Sequence, residues 1–299
     1  MRWSSRSLGA RWQHAFFAVL LRARLPFLAS AIVFVIVLYY TLHPGIRMRI
    51  MPYVTKKFKT DGKTAALLHV FRIYSNFARL LLLRMSWRCY GKESQKISIA
   101  AEARQQLTEA LEKNRGCLIL SAHLGAWQLA IAGLKKIGRP LTIVQYIDTG
   151  DVDKHYFEGN GSDTITIVNS AEGASAWIHI AATLRRGELV CLMGDRLMPT
   201  EPLPTATSFL GTCAQFPASP YWIANATGSP VLACFSYLSG ERVHIEHVTP
   251  ILLPRKKTRD ARKFAQTVRQ FSHAMEQFLL EHPHQFFNFY DLWSHYDKG

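Results

Sequence analysis

Eighteen consecutive residues without a charge, LPFLASAIVFVIVLYYTL at positions 25–42, set the first limit on this fold. As a helix the segment rises about 27 Å, close to the thickness of a bilayer's hydrocarbon core. Tyr39 and Tyr40 lie near one end, where amphipathic rings favour the interface. The arginine-rich lead before it is long for a secretory signal. No small-residue cleavage site follows, and His43-Pro44-Gly45 is helix-ending chemistry. An uncleaved membrane anchor over residues 25–43 is therefore expected. Arg2, Arg6, Arg11, Arg22 and Arg24 precede it; Arg47, Arg49, Lys56, Lys57 and Lys59 follow it. That balance leaves open whether the helix crosses the bilayer or dips into one leaflet.

Charge follows the same division. Residues 1–99 carry 17 Lys and Arg against two acids, Asp61 and Glu93, and so hold the whole net charge of +15; residues 100–299 balance at 19 of each sign. A basic third of this kind suits nucleic acid or an anionic membrane. The adjoining anchor favours the membrane, and no nucleic-acid module is recognisable, so no nucleic-acid partner is expected. In Thr64–Met85 the residues Arg72, Ser75, Asn76 and Arg79 form a narrow polar stripe on an apolar body. That pattern fits either a core helix or one lying in the headgroup plane. The expected organisation is a basic segment (1–24), an anchor (25–43), a basic amphipathic region (44–99) and a catalytic domain (100–299).

Apolar residues at 48% and charged residues at 19% exclude disorder. Five scattered cysteines without a C-x-x-C pair argue against zinc ligation or a disulfide framework, and no metal is expected. From residue 100 helices and strands alternate. Helical periodicity covers Ser98–Asn114, 126–137, Ser175–Arg186, 219–226 and Thr258–Glu281. Apolar strands fall at Gly116–Ala122, Leu141–Ile147 and Glu188–Gly194, with two more between residues 229 and 248. The fold class is α/β, a mixed and largely parallel sheet flanked by helices.

Two strand ends carry chemistry-bearing residues. His123 follows GCLILSA directly and precedes a helix start, a place for a general base or for a loop hydrogen bond. Gly194-Asp195-Arg196 ends a second strand. Its guanidinium suits a phosphate or carboxylate, or else an internal ion pair with Asp195.

His123-Leu124-Gly125-Ala126-Trp127-Gln128 resembles the H-x4-D/E block of the lysophospholipid acyltransferase superfamily, most nearly its bacterial lipid A biosynthesis branch. Gly194-Asp195-Arg196 resembles the second block. Phe209-Leu210-Gly211 with Phe216-Pro217 and Pro220 resembles the third. Gln285-Phe286-Phe287-Asn288-Phe289-Tyr290-Asp291-Leu292-Trp293 is similar to the aromatic tail motif. The resemblance implies acyl transfer from an acyl carrier protein or CoA thioester to a hydroxyl of a lipid or glycolipid, at the cytoplasmic face of a bacterial inner membrane. It needs no bound cofactor. It implies His123 as general base, Gln128 as its orienting partner and backbone N–H groups around Gly125 as the oxyanion site. Trp127, Asp195, Arg196, Phe209, Gly211, Phe216 and Pro217 become substrate-binding candidates. Arg196 would hold an anion, steadied by Asp195, and Phe209, Phe216, Phe286, Phe287 and Phe289 would line an acyl slot.

One departure stands out. Gln128 occupies the position where the motif has an acid, and an amide orients a histidine without stabilising its imidazolium. The alternative to an active enzyme is thus an inactive lipid-binding or assembly protein of the same fold.

Overall fold

The computed structural model describes residues 11–59, 62–91, 96–112, 115–147, 165–198, 201–258 and 260–293. The arginines at positions 2 and 6 lie outside them. Five helices come first: α1 (Arg11–Arg22), α2 (Pro26–Leu42), α3 (Pro44–Arg47), α4 (Met51–Phe58) and α5 (Lys63–Tyr90). Pro26, Pro44 and Pro52 each sit in the first turn of their helix, where a missing N–H costs nothing. Gly91 closes α5 in the left-handed conformation.

The rest alternates as the sequence analysis expects: β1 (Ile97–Ile99), α6 (Ala101–Glu112), β2 (Cys117–Ser121), α7 (Trp127–Leu134), β3 (Leu141–Gln145), β4 (Ile165–Asn169), α8 (Ala174–Arg185), β5 (Leu189–Met193), β6 (Pro204–Phe209), β7 (Thr212–Pro217), α9 (Ser219–Thr227), β8 (Val231–Ser239), β9 (Arg242–Ile251) and α10 (Ala265–Glu281). Seven strands form one sheet in the order β1-β9-β8-β2-β5-β3-β4. Neighbours are parallel except in the β8–β9 hairpin, and β6–β7 is a separate antiparallel pair. The central strands CLIL and LVCL are buried throughout, as unbroken apolar runs covered on both faces should be. Helix α7 packs on β1, β8 and β9, α8 on β4 and β5, and α10 on β6, β8 and β9.

Several elements differ from expectation. The helix expected from Ser98 starts at Ala101, because Ile97–Ile99 pairs with β9 as a short edge strand. Strand β4 and the β6–β7 hairpin escape a periodicity reading: their alternation is broken by threonines and part-exposed positions. The helix expected from Thr258 opens with a 3-10 turn, Ala261–Phe264, capped by Asp260.

Helix α2, at 17 residues, covers the expected anchor and stands at the lower limit of length for a crossing. Among the described residues, the helix long and apolar enough to cross a membrane by length and composition is α5. The polar stripe of α5 meets protein in part: Asn76 donates to the His284 carbonyl (3.1 Å) and Arg79 to that of Gly240 (3.4 Å). Tyr53 donates to the Pro283 carbonyl (2.6 Å) and stacks on Phe286, and Tyr74 stacks on Phe289. Residues on both sides of the expected 99/100 boundary therefore share one continuous core. Helix α2 leaves Phe27 90% and Phe34 56% exposed.

Candidate active site

The parallel pairing of β2 with β5 builds the site. Cys117 faces Leu189 and Ser121 faces Met193 in register. The same offset, carried two residues past the strands, sets His123 opposite Asp195. The His123 ring nitrogen Nδ1 lies 3.0 Å from both Asp195 carboxylate oxygens, and the His123 backbone N–H donates to Oδ2 at 3.0 Å. Asp195 is fully buried. A third residue closes the arrangement. Asn288 Nδ2 donates to Asp195 Oδ2 (3.2 Å), while Asn288 Oδ1 accepts from Arg196 Nε (2.8 Å). The Arg196 guanidinium lies over the Tyr290 ring at 5.5 Å. With Nδ1–H given to the carboxylate, Nε2 is left as the basic nitrogen.

Electrostatics agree with that tautomer. Burial, and then the Arg196 charge, hold the His123 pKa below its ordinary value despite the Asp195 contact. Burial pushes Asp195 upward, but the His123 and Arg196 interactions outweigh it and hold the carboxyl below its usual range. Burial likewise lowers Arg196 from the ordinary guanidinium value. Near neutral pH the pair is a neutral imidazole held by a carboxylate.

Gln128 is placed elsewhere. Its Oε1 accepts from Arg84 Nη1 at 2.6 Å, and Arg84 is a buried residue of α5. The carboxylate at His123 comes from a different strand rather than from the next helical turn. The N–H groups near Gly125 are also occupied: Leu124 donates to Ala122, Gly125 to Gln285 (2.8 Å) and Ala126 to Ser236 (2.9 Å). Gly125 answers a steric need instead. Its φ is +55°, and a Cβ there would lie 1.7 Å from the Ser236 carbonyl oxygen. Gly125→Ala should cost about 3 kcal/mol or more of stability, read as a lowered thermal midpoint in detergent. A midpoint equal to that of the native protein would contradict this packing.

His123 opens on a cavity of about 950 Å³. Trp127, Gln128, Arg196 and Pro217 line it, with Phe287 and Phe289 of the tail and Val33, Ile36 and Tyr40 of α2. Two polar atoms in its wall, Gln145 Nε2 and Ser236 Oγ, have no hydrogen-bond partner among the described residues. Glu201, an acid in the wall, accepts from Leu203 N, Ser219 N and Ser219 Oγ, so it holds a turn. Phe209 and Phe216 belong to the core: both are fully buried, edge to face with each other, and Phe209 stacks on Trp293. Phe286 is buried against Tyr53. Gly211, at φ +76°, forms the β6–β7 turn.

Sequence reasoning did not single out Asn288 or Arg84. Asn288 stands inside a run of aromatic residues, and Arg84 is one of several charges on a basic helix.

A histidine–carboxylate pair at the strand ends of a largely parallel sheet, opening on a large apolar cavity, defines a site for acid–base chemistry on an apolar substrate. The family model of the bacterial lipid A biosynthesis acyltransferases matches residues 71–295, and the chain belongs to that family. It is therefore an acyltransferase of lipid biosynthesis. A search of curated proteins finds no significant match.

Proposed function

We propose that the protein moves a fatty acyl group from a thioester donor to a hydroxyl of a lipid or glycolipid acceptor, with His123 as general base. The observation that carries this reading is the buried Asp195 carboxylate on His123 Nδ1, with Nε2 left for the acceptor. His123 Nε2 takes the hydroxyl proton as the oxygen attacks the thioester carbonyl. Asp195 stabilises the imidazolium that forms. Collapse breaks the carbon–sulfur bond, and the imidazolium returns its proton to the departing thiolate. Arg196, in the same wall, sets a positive charge where the carbonyl oxygen or an acceptor phosphate carries negative charge. Gln145 and Ser236 offer hydrogen bonds to the polar part of a substrate whose chain occupies the apolar remainder.

Gln128 loses its importance in this reading. The inactive-binder alternative rested on an amide standing where an acid was expected, and Asp195 supplies the acid. Gln128→Glu places a carboxylate against Arg84 and should leave kcat within about threefold. A gain of tenfold or more would restore Gln128 as the decisive position.

The membrane is reached through α2. Its exposed apolar face inserts into the inner membrane from the cytoplasmic side, and because α2 also walls the cavity, an acceptor lipid enters without crossing water. Phe27→Asp with Phe34→Asp should move the protein from the membrane pellet to the soluble fraction, since each buried carboxylate costs about 3 kcal/mol. Retention of both in the pellet would show that other segments hold it. The basic N-terminal third complements an acidic acyl carrier protein as donor. Native membranes offered labelled acyl-carrier-protein and acyl-CoA separately test the function. Label in a lipid hydroxyl ester from one donor is the expected result, and no labelled lipid from either would overturn it.

A further inference from the structure

A second cluster of side chains lies outside this site, where the end of α10 meets β9. His247 projects from β9, and Glu281 and His282 sit at the last turn of α10. One ligand atom from each lies within 4.8 Å of the other two. The His247 Nε2 to Glu281 Oε2 distance is 3.7 Å. The two imidazoles meet edge to face, with His282 stacked on Tyr237 and His247 against the Phe278 edge.

Two features set this cluster apart from an ordinary surface pair. His247 Nε2 and His282 Nε2 are both buried without a hydrogen-bond partner among the described residues. A buried nitrogen left so costs about 1–3 kcal/mol, and two of them converging beside a carboxylate call for a shared partner. The second feature is the helix end, whose carbonyls give a negative potential that favours a cation.

We propose that His247, Glu281 and His282 form a binding site for a divalent transition metal, with Zn²⁺ the ion best suited to it. Two imidazoles and one carboxylate are ligands of the right hardness, with water completing a tetrahedron. The ligand atoms, now within 4.8 Å of one another, need to draw in to about 3.3 Å around one ion, the exposed Glu281 side chain by rotation and the two imidazoles by small ring movements. The three residues are 35 positions apart at their widest, so no short ligand spacing announces them. The ion ties β9 to the turn from which Pro283–Asn288 runs to the catalytic pair. Within that run the Phe287 N–H donates to the His123 carbonyl at 2.8 Å. Its effect is structural.

The test uses the full-length protein in detergent, stripped with a chelator and titrated with Zn²⁺ alone. About one equivalent should bind and raise the thermal midpoint. His247→Gln and His282→Gln should weaken binding by about 100-fold and Glu281→Gln by about tenfold. His69→Gln, which alters the separate His69–His284 contact, should leave it unchanged. Glu281 is exposed enough for its variant to fold whatever happens to the histidine variants. No Zn²⁺-dependent shift in the native protein, or one that survives in Glu281→Gln at full affinity, would overturn the proposal.

Discussion

His123→Ala should lower kcat by about 10⁴-fold while leaving folding and membrane content unchanged. The size is the upper end of what a positioned general base contributes. It applies because, among the described residues, no second base is placed to substitute. Of the other acids near the site, Asp195 is buried behind the ring and Glu201 is held by Ser219 and Leu203. Alanine leaves the strand and its register intact, since the His123 backbone N–H still donates to Asp195. Residual activity would come from binding and the Arg196 charge alone. Turnover per membrane-bound chain is the measurement, and a loss of less than tenfold would remove His123 from the chemistry.

Asp195→Asn should cost about 10³-fold, less than the histidine but far more than a surface change. The amide keeps the size of the side chain and loses what matters. It no longer stabilises the imidazolium, and its NH₂ group favours the wrong imidazole tautomer, a change worth about 10⁴ in a serine-protease triad. It also disturbs a network, because Asn288 then faces an amide where it donated to a carboxylate. The pH dependence carries independent information. A base works deprotonated, and burial with Arg196 holds the His123 pKa below 6.5. In the native enzyme kcat/KM should rise with pH through a single step under that value and stay level to pH 8. A step above 7 would mean the ring is not the titrating group or is far more exposed than its environment implies.

How much of this was legible in the sequence follows from what is local. The strand GCLILSA and the histidine after it needed only neighbouring residues, and the structure places both close to expectation. The Asp195 strand end was legible for the same reason. Its partner was not. The order β2-β5-β3-β4 puts β5 beside β2 although β3 and β4 intervene in the chain, and such a crossover leaves no mark on periodicity. Asp195 therefore read as a partner of its neighbour Arg196, and Gln128, five residues from His123, read as the histidine's partner. Arg196 also reaches Asn288, 92 residues away. Gly125 illustrates the converse. Its position in a motif was clear, but its reason, the Ser236 carbonyl 1.7 Å from a notional Cβ, belongs to a strand more than a hundred residues on. The phenylalanines divided on where their rings lie: Phe287, itself buried, and Phe289 line the cavity, while Phe209 and Phe216 pack in the core away from it.

The central claim is that His123 works as a base on the carboxylate of Asp195 rather than on Gln128. Single-turnover transfer of a labelled acyl group, in native membranes of equal protein content, tests it most directly with Asp195→Asn and Gln128→Glu compared side by side. The expected result is a rate for Asp195→Asn about 10³-fold below that of the native protein, beside a Gln128→Glu rate within about threefold of it. A tolerant Asp195→Asn, with Gln128→Glu faster than the native chain, would contradict the claim and return the histidine's partner to the position the motif gave it.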